Sequence, residues 1–469
     1  MNIVLVRPRY ASHLITPPLG LGYLAAYLRQ RGARVTILDG LLLGRDNRAL
    51  AEAVEALCPD AVGITCQTAF WHEAADLARR LKARGQRVIL GGVHPSFLPG
   101  QSLAETGADF VVRGEGERAL FDLADSGFSG FLGKNIPGVV GAWNMADPDP
   151  AWAPLEEDLD ALPFPAWDLM DPRAYPKAPH GAIVKNYPIG VVMTSRGCPY
   201  SCSFCASPRF WGGRVRLRSP ENVLAEVRML AEKFDVAEIH FEDDNFTLDR
   251  DRATEISRLM GESGLNLSWA CPNGIRADRV DKDLIFAMKK AGCYYFAFGI
   301  ESADPNILAN IHKAETIETI SRSIGLADDA GISCLGLFIL GLPGETRETM
   351  EKTIRFAKNS RLSRAQFLIL DVLPGSALWD ELAGRFTPDW TKNSFKEPEW
   401  IPPGLTKKDL MDAQARAFRS FYLSRGRFLS LVRQVRLGQI PFLIHRLFDY
   451  RILPAPRKKR RARKTPGTT

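Results

Sequence analysis

Ile189-Gly190-Val191-Val192-Met193-Thr194-Ser195-Arg196-Gly197-Cys198-Pro199-Tyr200-Ser201-Cys202-Ser203-Phe204-Cys205 decides how the rest of the chain is read. An apolar, β-branched run, Ile189–Thr194, reads as a buried strand, and three cysteines follow it in the spacing C-x3-C-x2-C. Thiolates are the usual ligands of iron–sulfur clusters, and a cubane cluster takes four of them in its saturated form. Three thiolates leave one iron open to a ligand other than protein. Cys198, Cys202 and Cys205 therefore point to a reactive iron–sulfur cluster; the spacing taken alone also fits a zinc or other structural site. The other five cysteines, Cys58, Cys66, Cys271, Cys293 and Cys334, are scattered on or beside apolar runs and read as small buried apolar residues.

Downstream, further strands are expected at Glu238–Phe241, Leu267–Ala270, Tyr294–Gly299, Cys334–Leu340 and Ala365–Leu370. Helical patterns follow, as at Pro220–Lys233, Asp281–Lys290, Glu315–Ala330 and Arg347–Lys358. Six βα units predict a partial (βα)6 barrel over residues 188–400, with chemistry at the carboxyl ends of the strands. Upstream, residues 1–125 carry five strand candidates, Ile3–Val6, Val35–Leu38, Ala61–Thr65, Val88–Leu90 and Phe110–Val112. Helical stretches such as Leu21–Arg31, Arg48–Leu57, Trp71–Arg84 and Glu117–Ala124 run between them. This is the pattern of an α/β, doubly wound, Rossmann-like parallel sheet, with a ligand expected at the strand ends. Small residues gather there: Gly20, Gly22, Gly40, Gly91, Gly92, Gly114 and Gly116. Residues 126–187, rich in Pro, Gly and Trp, read as a linker packed across the two units. Residues 401–454 look helical, and 455–469 form a basic tail expected to be disordered.

The 469 residues are 45% apolar and 25% charged, an ordinary globular balance. Of the 61 basic residues, seven lie in Arg457-Lys458-Lys459-Arg460-Arg461-Ala462-Arg463-Lys464; without them 54 basic residues face 54 acidic ones. The body is thus formally neutral and nucleic acid is discounted as a partner. No run of 18 apolar residues suggests a spanning helix, and the first residues enter a strand with no export signal. A cytoplasmic enzyme is expected. Between Arg425 and Tyr450 apolar residues alternate with arginines, which suggests peripheral contact with anionic lipid through the C-terminus.

In this setting the chain resembles the radical S-adenosylmethionine (SAM) enzymes. Cys198, Cys202 and Cys205 match the cluster ligands, and Phe204 the aromatic beside the nucleotide. Glu242, Asp243 and Asp244, in Glu242-Asp243-Asp244-Asn245-Phe246, match the contact with the methionine amino group. Read without the resemblance, that run fits a solvated loop or a metal site; its place after the second strand favours the cofactor. Glu301 and Ser302 match the ribose position. Gly341 and Pro343, in Gly336-Leu337-Phe338-Ile339-Leu340-Gly341-Leu342-Pro343-Gly344-Glu345, match the element lining the adenine, and Leu373–Leu378 resembles the turn after the sixth strand. The N-terminal unit, with Gly91-Gly92-Val93-His94-Pro95 and Gly114-Glu115-Gly116-Glu117, is similar to the cobalamin-binding module that precedes many such enzymes. The resemblance implies cobalamin contacts at Gly20, Thr65, Gly91, Gly92, Gly114 and Glu115. The D-x-H-x-x-G motif that supplies a histidine below the cobalt is absent.

The resemblance implies a [4Fe–4S] cluster, SAM and cobalamin as cofactors, and a 5′-deoxyadenosyl radical as the reactive species. It implies flavodoxin or ferredoxin as electron donor, and methylation of an unactivated carbon of a small-molecule or lipid-like substrate. A cobalamin-dependent ring-forming or ring-rearranging enzyme is the alternative. A transfer-RNA methylthiotransferase or a non-enzymatic sensor fits less well. His94 reads as a turn residue satisfied by backbone, and His72 and His240 as structural. Tyr200 either faces substrate or packs. No catalytic acid or base is assigned.

Overall fold

The computed structural model describes residues 1–469 except 13, 14, 130–135, 178–183, 393, 425, 426 and 428–469. The N-terminal sheet has six strands in the order β2-β1-β3-β4-β5-β6. They are β1 (Asn2–Arg7), β2 (Arg34–Asp39), β3 (Ala61–Thr65), β4 (Val88–Gly91), β5 (Phe110–Val112) and β6 (Val139–Val140). The first five pair in parallel, and the near-continuous burial of β1, β3, β4 and β5 explains why these read as unbroken apolar runs. On one face, helices Leu19–Gln30 and Gly116–Asp125 cover Ile3, Leu5 and Ile89. On the other, helices Asn47–Ala56 and Trp71–Lys82 cover Val4, Val6, Val62 and Leu90.

The segment read as a linker contributes more than packing. Its Val139 and Val140 add an antiparallel sixth strand beside β5. Further on it lies between the two units: the Trp167 indole donates to Glu226 (3.0 Å) and the Tyr175 hydroxyl to Asp39 (2.9 Å). The Gly-Pro-rich stretch after β4 folds as two short helices, Val93–Phe97 and Pro99–Thr106.

The second sheet runs β14-β13-β12-β11-β10-β7, every neighbouring pair parallel. Its strands are β7 (Ile189–Val192), β10 (Glu238–Phe241), β11 (Ser268–Ile275), β12 (Cys293–Glu301), β13 (Ser333–Leu340) and β14 (Arg364–Ile369). A two-stranded ribbon, β8 (Ser195–Arg196) with β9 (Arg216–Leu217), stands after β7. The sheet is an arc of six βα units, as expected. Along β13 and β14 burial alternates. Gly336, Phe338 and Phe367 face the helical layer, and Leu335, Leu337, Gln366 and Leu368 face the hollow of the arc. Helix Lys407–Tyr422 packs on β14 and on helix Arg347–Asn359, burying Leu410, Ala413, Ala417, Phe418 and Phe421.

No helix among the described residues is long and apolar enough to cross a membrane. The expected lipid-docking segment and basic tail lie outside the described residues, apart from Arg427. Its guanidinium donates to the carbonyls of Lys358 (2.7 Å) and Ser360 (2.6 Å), at the end of helix Arg347–Asn359.

Candidate active site at the junction of the two sheets

Cys198, Cys202 and Cys205 lie in the loop between β8 and the short helix Ser207–Phe210, all three half-buried and none in a disulfide. Backbone bonds pin the loop: Cys205 N to Cys202 O (3.1 Å), Ser203 N to Ile311 O (3.0 Å) and Leu378 N to Ser203 O (2.8 Å). Gly197 has φ +106°, and a Cβ there would stand 1.9 Å from the Arg214 carbonyl, so only glycine fits. Tyr200 is clamped by cations: the Arg276 guanidinium lies 3.7 Å from its ring centre, and Arg279 Nε donates to its hydroxyl (2.7 Å). Of the two roles open to Tyr200, packing is the one the structure displays.

Burial pushes all three thiols up, Cys205 to about 12. Without metal they are thiols; iron is what would hold them as thiolates. Among the described residues no three His, Cys, Asp or Glu side chains converge on one ion. A cluster that takes one thiolate per iron needs no such convergence, so the donor set fits a cubane.

The acids that follow β10 divide. Asp243 is buried and accepts from Thr194 N (2.6 Å), from the Thr194 hydroxyl and from Ser195 Oγ (2.8 Å). It thus braces the strand end that launches the cysteine loop. Asp244 accepts from Ser207 Oγ (2.6 Å), just past Cys205. Glu242 is the member of the trio on the cavity wall described below. Glu301 carries φ +64°, a conformation a non-glycine residue adopts only under constraint, and pairs with Lys313 Nζ at 3.1 Å. Lys313 is flanked by two more such residues, His312 (φ +54°) and Ala314 (φ +52°), and also faces Glu315 at 3.4 Å. Ser302 is fully buried, its hydroxyl against Thr353 Oγ1 (3.2 Å) and Asp304 N (3.2 Å). Bonds to Thr353 tie the end of β12 to helix Arg347–Asn359. Gly341, at φ +90°, packs against Leu410, and Pro343 lies beyond it in the same turn. Phe204 packs against a small apolar group that includes Ile307, Leu342 and Leu378.

Between the sheets lies a cavity of about 1630 Å³, well above the roughly 300–1,000 Å³ of an ordinary small-molecule site. The carboxyl ends of the N-terminal strands wall one side, with Gly20, Thr65, Gly91, Gly92, Gly114 and Glu115 all on the surface. A Cβ at Gly20 would meet nothing within 4 Å, and at Gly91 only the Val112 carbonyl at 4.0 Å. Both positions therefore leave backbone open to the cavity, a helix start at Gly20 and a strand end at Gly91, a cradle that a wide planar group can approach closely. Gly92 is needed for another reason: at φ +103° its Cβ would lie 2.4 Å from the Cys66 carbonyl. Glu115 faces the cavity edge, but its carboxylate is occupied by Arg196 and Arg216. The hollow of the arc walls the other side, including Met193, Glu242, Tyr295, Leu337, Arg364 and Gln366.

The histidines need revision. His94 is no backbone-satisfied turn residue. It is buried in helix Val93–Phe97, stacked on Trp71 (4.4 Å between ring centres) with Trp390 edge-on (5.0 Å). Its Nδ1 is 3.3 Å from Thr68 Oγ1, its Nε2 has no hydrogen-bond partner, and burial pushes it down to about 3, so it is neutral. His72, expected to be structural, lies on the cavity wall. His240 is structural, its Nε2 2.7 Å from Glu238.

Sequence reasoning missed the buried charges: Arg196, Arg216, Arg276 and Lys313. Arginine and lysine read as surface by default, and nothing in the local pattern of Arg196 or Arg216 marks acids of the N-terminal unit as their partners.

A parallel arc bearing a three-cysteine loop, joined to a doubly wound domain across one cavity, is the architecture of a cobalamin-dependent radical SAM enzyme. The radical SAM superfamily matches residues 192–357 and the B12 binding domain residues 11–124. An uncharacterized methyltransferase of Pyrococcus horikoshii is 36% identical over 90% of this chain and 93% of its own length. The anaerobic magnesium-protoporphyrin IX monomethyl ester cyclase of Rubrivivax gelatinosus is 29% identical over 91% of this chain and 78% of its own. The cytidylyl-2-hydroxyethylphosphonate methyltransferase of Streptomyces wedmorensis is 28% identical over 90% and 89%. The radical SAM methyltransferase TsrM of Kitasatospora setae, solved with cobalamin and a [4Fe–4S] cluster bound, shares the fold (TM-score 0.69, 20% identity, 86% of this chain and 83% of that one). The chain belongs to the cobalamin-binding radical SAM methyltransferase family, with a [4Fe–4S] cluster, SAM and cobalamin as its cofactors.

Proposed function

We propose that this enzyme methylates an unactivated carbon of a small molecule with a largely apolar body and few polar groups. One observation carries the reading: a single cavity has the glycine cradle as one wall and the hollow of the arc as the other. Cys198, Cys202 and Cys205 would hold the cluster, and SAM would lie beside it, against Glu242 and the ends of β12 and β13. Cobalamin would lie across Gly20, Thr65, Gly91, Gly92 and Gly114. Together the bound groups supply one-electron cleavage of SAM and a transferable methyl group.

The chain's own part is to bind, orient and exclude water. Leu335, Leu337, Leu368 and Met193 give the arc an apolar lining in which a carbon centre is shielded from solvent. Tyr295, Gln366 and Arg364 offer polar contacts deep in the hollow, enough to fix the orientation of a mostly apolar substrate. Reduced flavodoxin or ferredoxin would supply the electron.

Anaerobic reconstitution with iron, sulfide and hydroxocobalamin tests the proposal. Corrinoid absorbance should travel with the protein, and turnover should release both 5′-deoxyadenosine and S-adenosylhomocysteine. The cyclase relative favours a second reading, ring formation; deoxyadenosine with bound corrinoid and no homocysteine product would select it. Absence of deoxyadenosine with every reductant and substrate offered would overturn both.

A further inference from the structure

Two residues ahead of Cys198, Arg196 is buried at the seam between the units and reaches back into the cobalamin domain. Its Nη1 donates to Glu115 Oε1 (2.8 Å) and its Nη2 to Glu117 Oε1 (2.7 Å). Arg216, directly opposite Arg196 on the ribbon β8–β9, forks onto the same Glu115 through Nη1 (2.9 Å) and Nη2 (2.8 Å). The backbone N–H of Glu156 completes the Glu115 carboxylate (2.7 Å). Aromatic rings close the sides, Tyr23 5.0 Å and Trp211 5.9 Å from the Arg196 guanidinium. None of the four charged residues is more than 9% exposed.

Four buried charges, two of each sign, are a poor way to gain stability. The desolvation penalty offsets most of the attraction, and well-packed apolar residues of the same volume do as well or better. What paired guanidinium–carboxylate forks supply is direction: planar groups meeting edge to edge fix distance and angle together. Here they fix the turn Gly114–Glu117, whose Gly114 lies on the glycine wall, against the strand that leads into the cysteine loop. Both ends of the network thus touch a different cofactor site, and no other buried charge network among the described residues joins these two loops.

We infer that Arg196 is a positioning residue that couples the corrin site to the cluster site, so that filling either one tightens the other. The inference rests on the cofactor placement proposed above. Coupling between sites is reciprocal at equilibrium, so it can be read without turnover.

Hydroxocobalamin affinity is measured by corrinoid absorbance on the cluster-free and the cluster-loaded full-length protein. Iron retention against a chelator is measured with and without corrinoid. In the unsubstituted protein the cluster should tighten corrinoid binding at least fivefold, and corrinoid should tighten iron retention by the same factor. In Arg196→Lys, which keeps the charge and loses the fork, the gain should fall below twofold. Glu117→Gln, isosteric and distant from the cysteines in sequence, should lose most of it too. Glu238→Gln removes a charge from an equally buried network at the amino end of β10, the end of that strand away from the cysteine loop, and should keep the full gain. A gain below twofold in the unsubstituted protein, or full retention in a folded Arg196→Lys or Glu117→Gln, overturns the inference. A protein that binds cluster but no corrinoid in any form overturns the cofactor placement, and the coupling with it.

Discussion

Glu345 shows what a single carboxylate does in the turn after β13. Its Oε2 accepts from Gly341 N (2.5 Å) and Leu342 N (3.1 Å), while Oε1 is buried with no hydrogen-bond partner. Burial pushes the group up to about 7, against an ordinary 4.5. A raised carboxyl stabilises the fold fully below its unfolded value and loses that contribution as pH rises through the folded one. Stability of the cofactor-free chain should therefore fall between pH 4.5 and 7, by about 3 kcal/mol at the 1.36 kcal/mol that a pK unit represents. Glu345→Gln keeps an acceptor for both N–H groups, so its melting temperature should vary less over that window in calorimetry; an unchanged slope would sink the argument. A second residue-scale test uses the glycine cradle. Gly91→Val adds carbon toward open space, so the apo melting temperature should stay within a few degrees while hydroxocobalamin affinity drops at least tenfold in equilibrium dialysis. At this scale the gathering of the cysteines in one loop and of the glycines on one cavity wall was legible, because residue type and strand-end position alone place them. His94 was not: its surroundings, Trp71 and Trp390, come from stretches of chain far apart in sequence.

Elements were legible where burial was uniform along them. β3, β5 and β10 match their expected limits because both faces are covered and the apolar run ends where the strand ends. β11 runs on to Ile275 and β12 to Glu301, past their expected ends, because their last residues lie over the mouth of the arc, where Pro272 and Asn273 meet the cavity and no apolar pattern is required. The pair Val139–Val140 is too short to read as a strand until β5 offers it an edge. The helix Lys407–Tyr422 gives the test at this scale. The Thr406 side chain accepts from Asp409 N, and the Asp409 carboxylate accepts from Thr406 N, a capping box. Thr406→Ala should cost about 1 kcal/mol in urea titration. It should also raise amide exchange where the Tyr422 hydroxyl holds the Ala365 backbone, donating to its carbonyl (2.7 Å) and accepting from its N–H (3.0 Å). Exchange confined to the first helical turn would contradict that propagation.

For the whole molecule, several arginines are turned inward to acids at the joints of the fold, while many others pair with acids on the surface. Arg7 pairs with Asp39, Arg218 with Glu226, Arg196 and Arg216 with Glu115. Because such pairs tie linker, ribbon and both sheets together, occupancy of the cavity should protect both units. Hydroxocobalamin at about 100 times its dissociation constant should add about 2.7 kcal/mol to the folded state. The calorimetric transition of each half should shift upward; a shift confined to one would argue against a shared cavity. A last consequence concerns the arc itself. Among the described residues β7 and β14 are not paired, so the sheet is a C-shaped clasp with a gap instead of a closed ring. Closed rings have a bore set by strand number and shear. A clasp has an adjustable girth, since its two free rims can be spread or drawn in without breaking a ladder. The residues near the gap, such as Trp390, Lys392 and Phe395, come from an irregular stretch outside either sheet. Evolution can recut that stretch to admit a slim chain or a broad macrocycle while leaving the sulfur anchors and the cradle untouched.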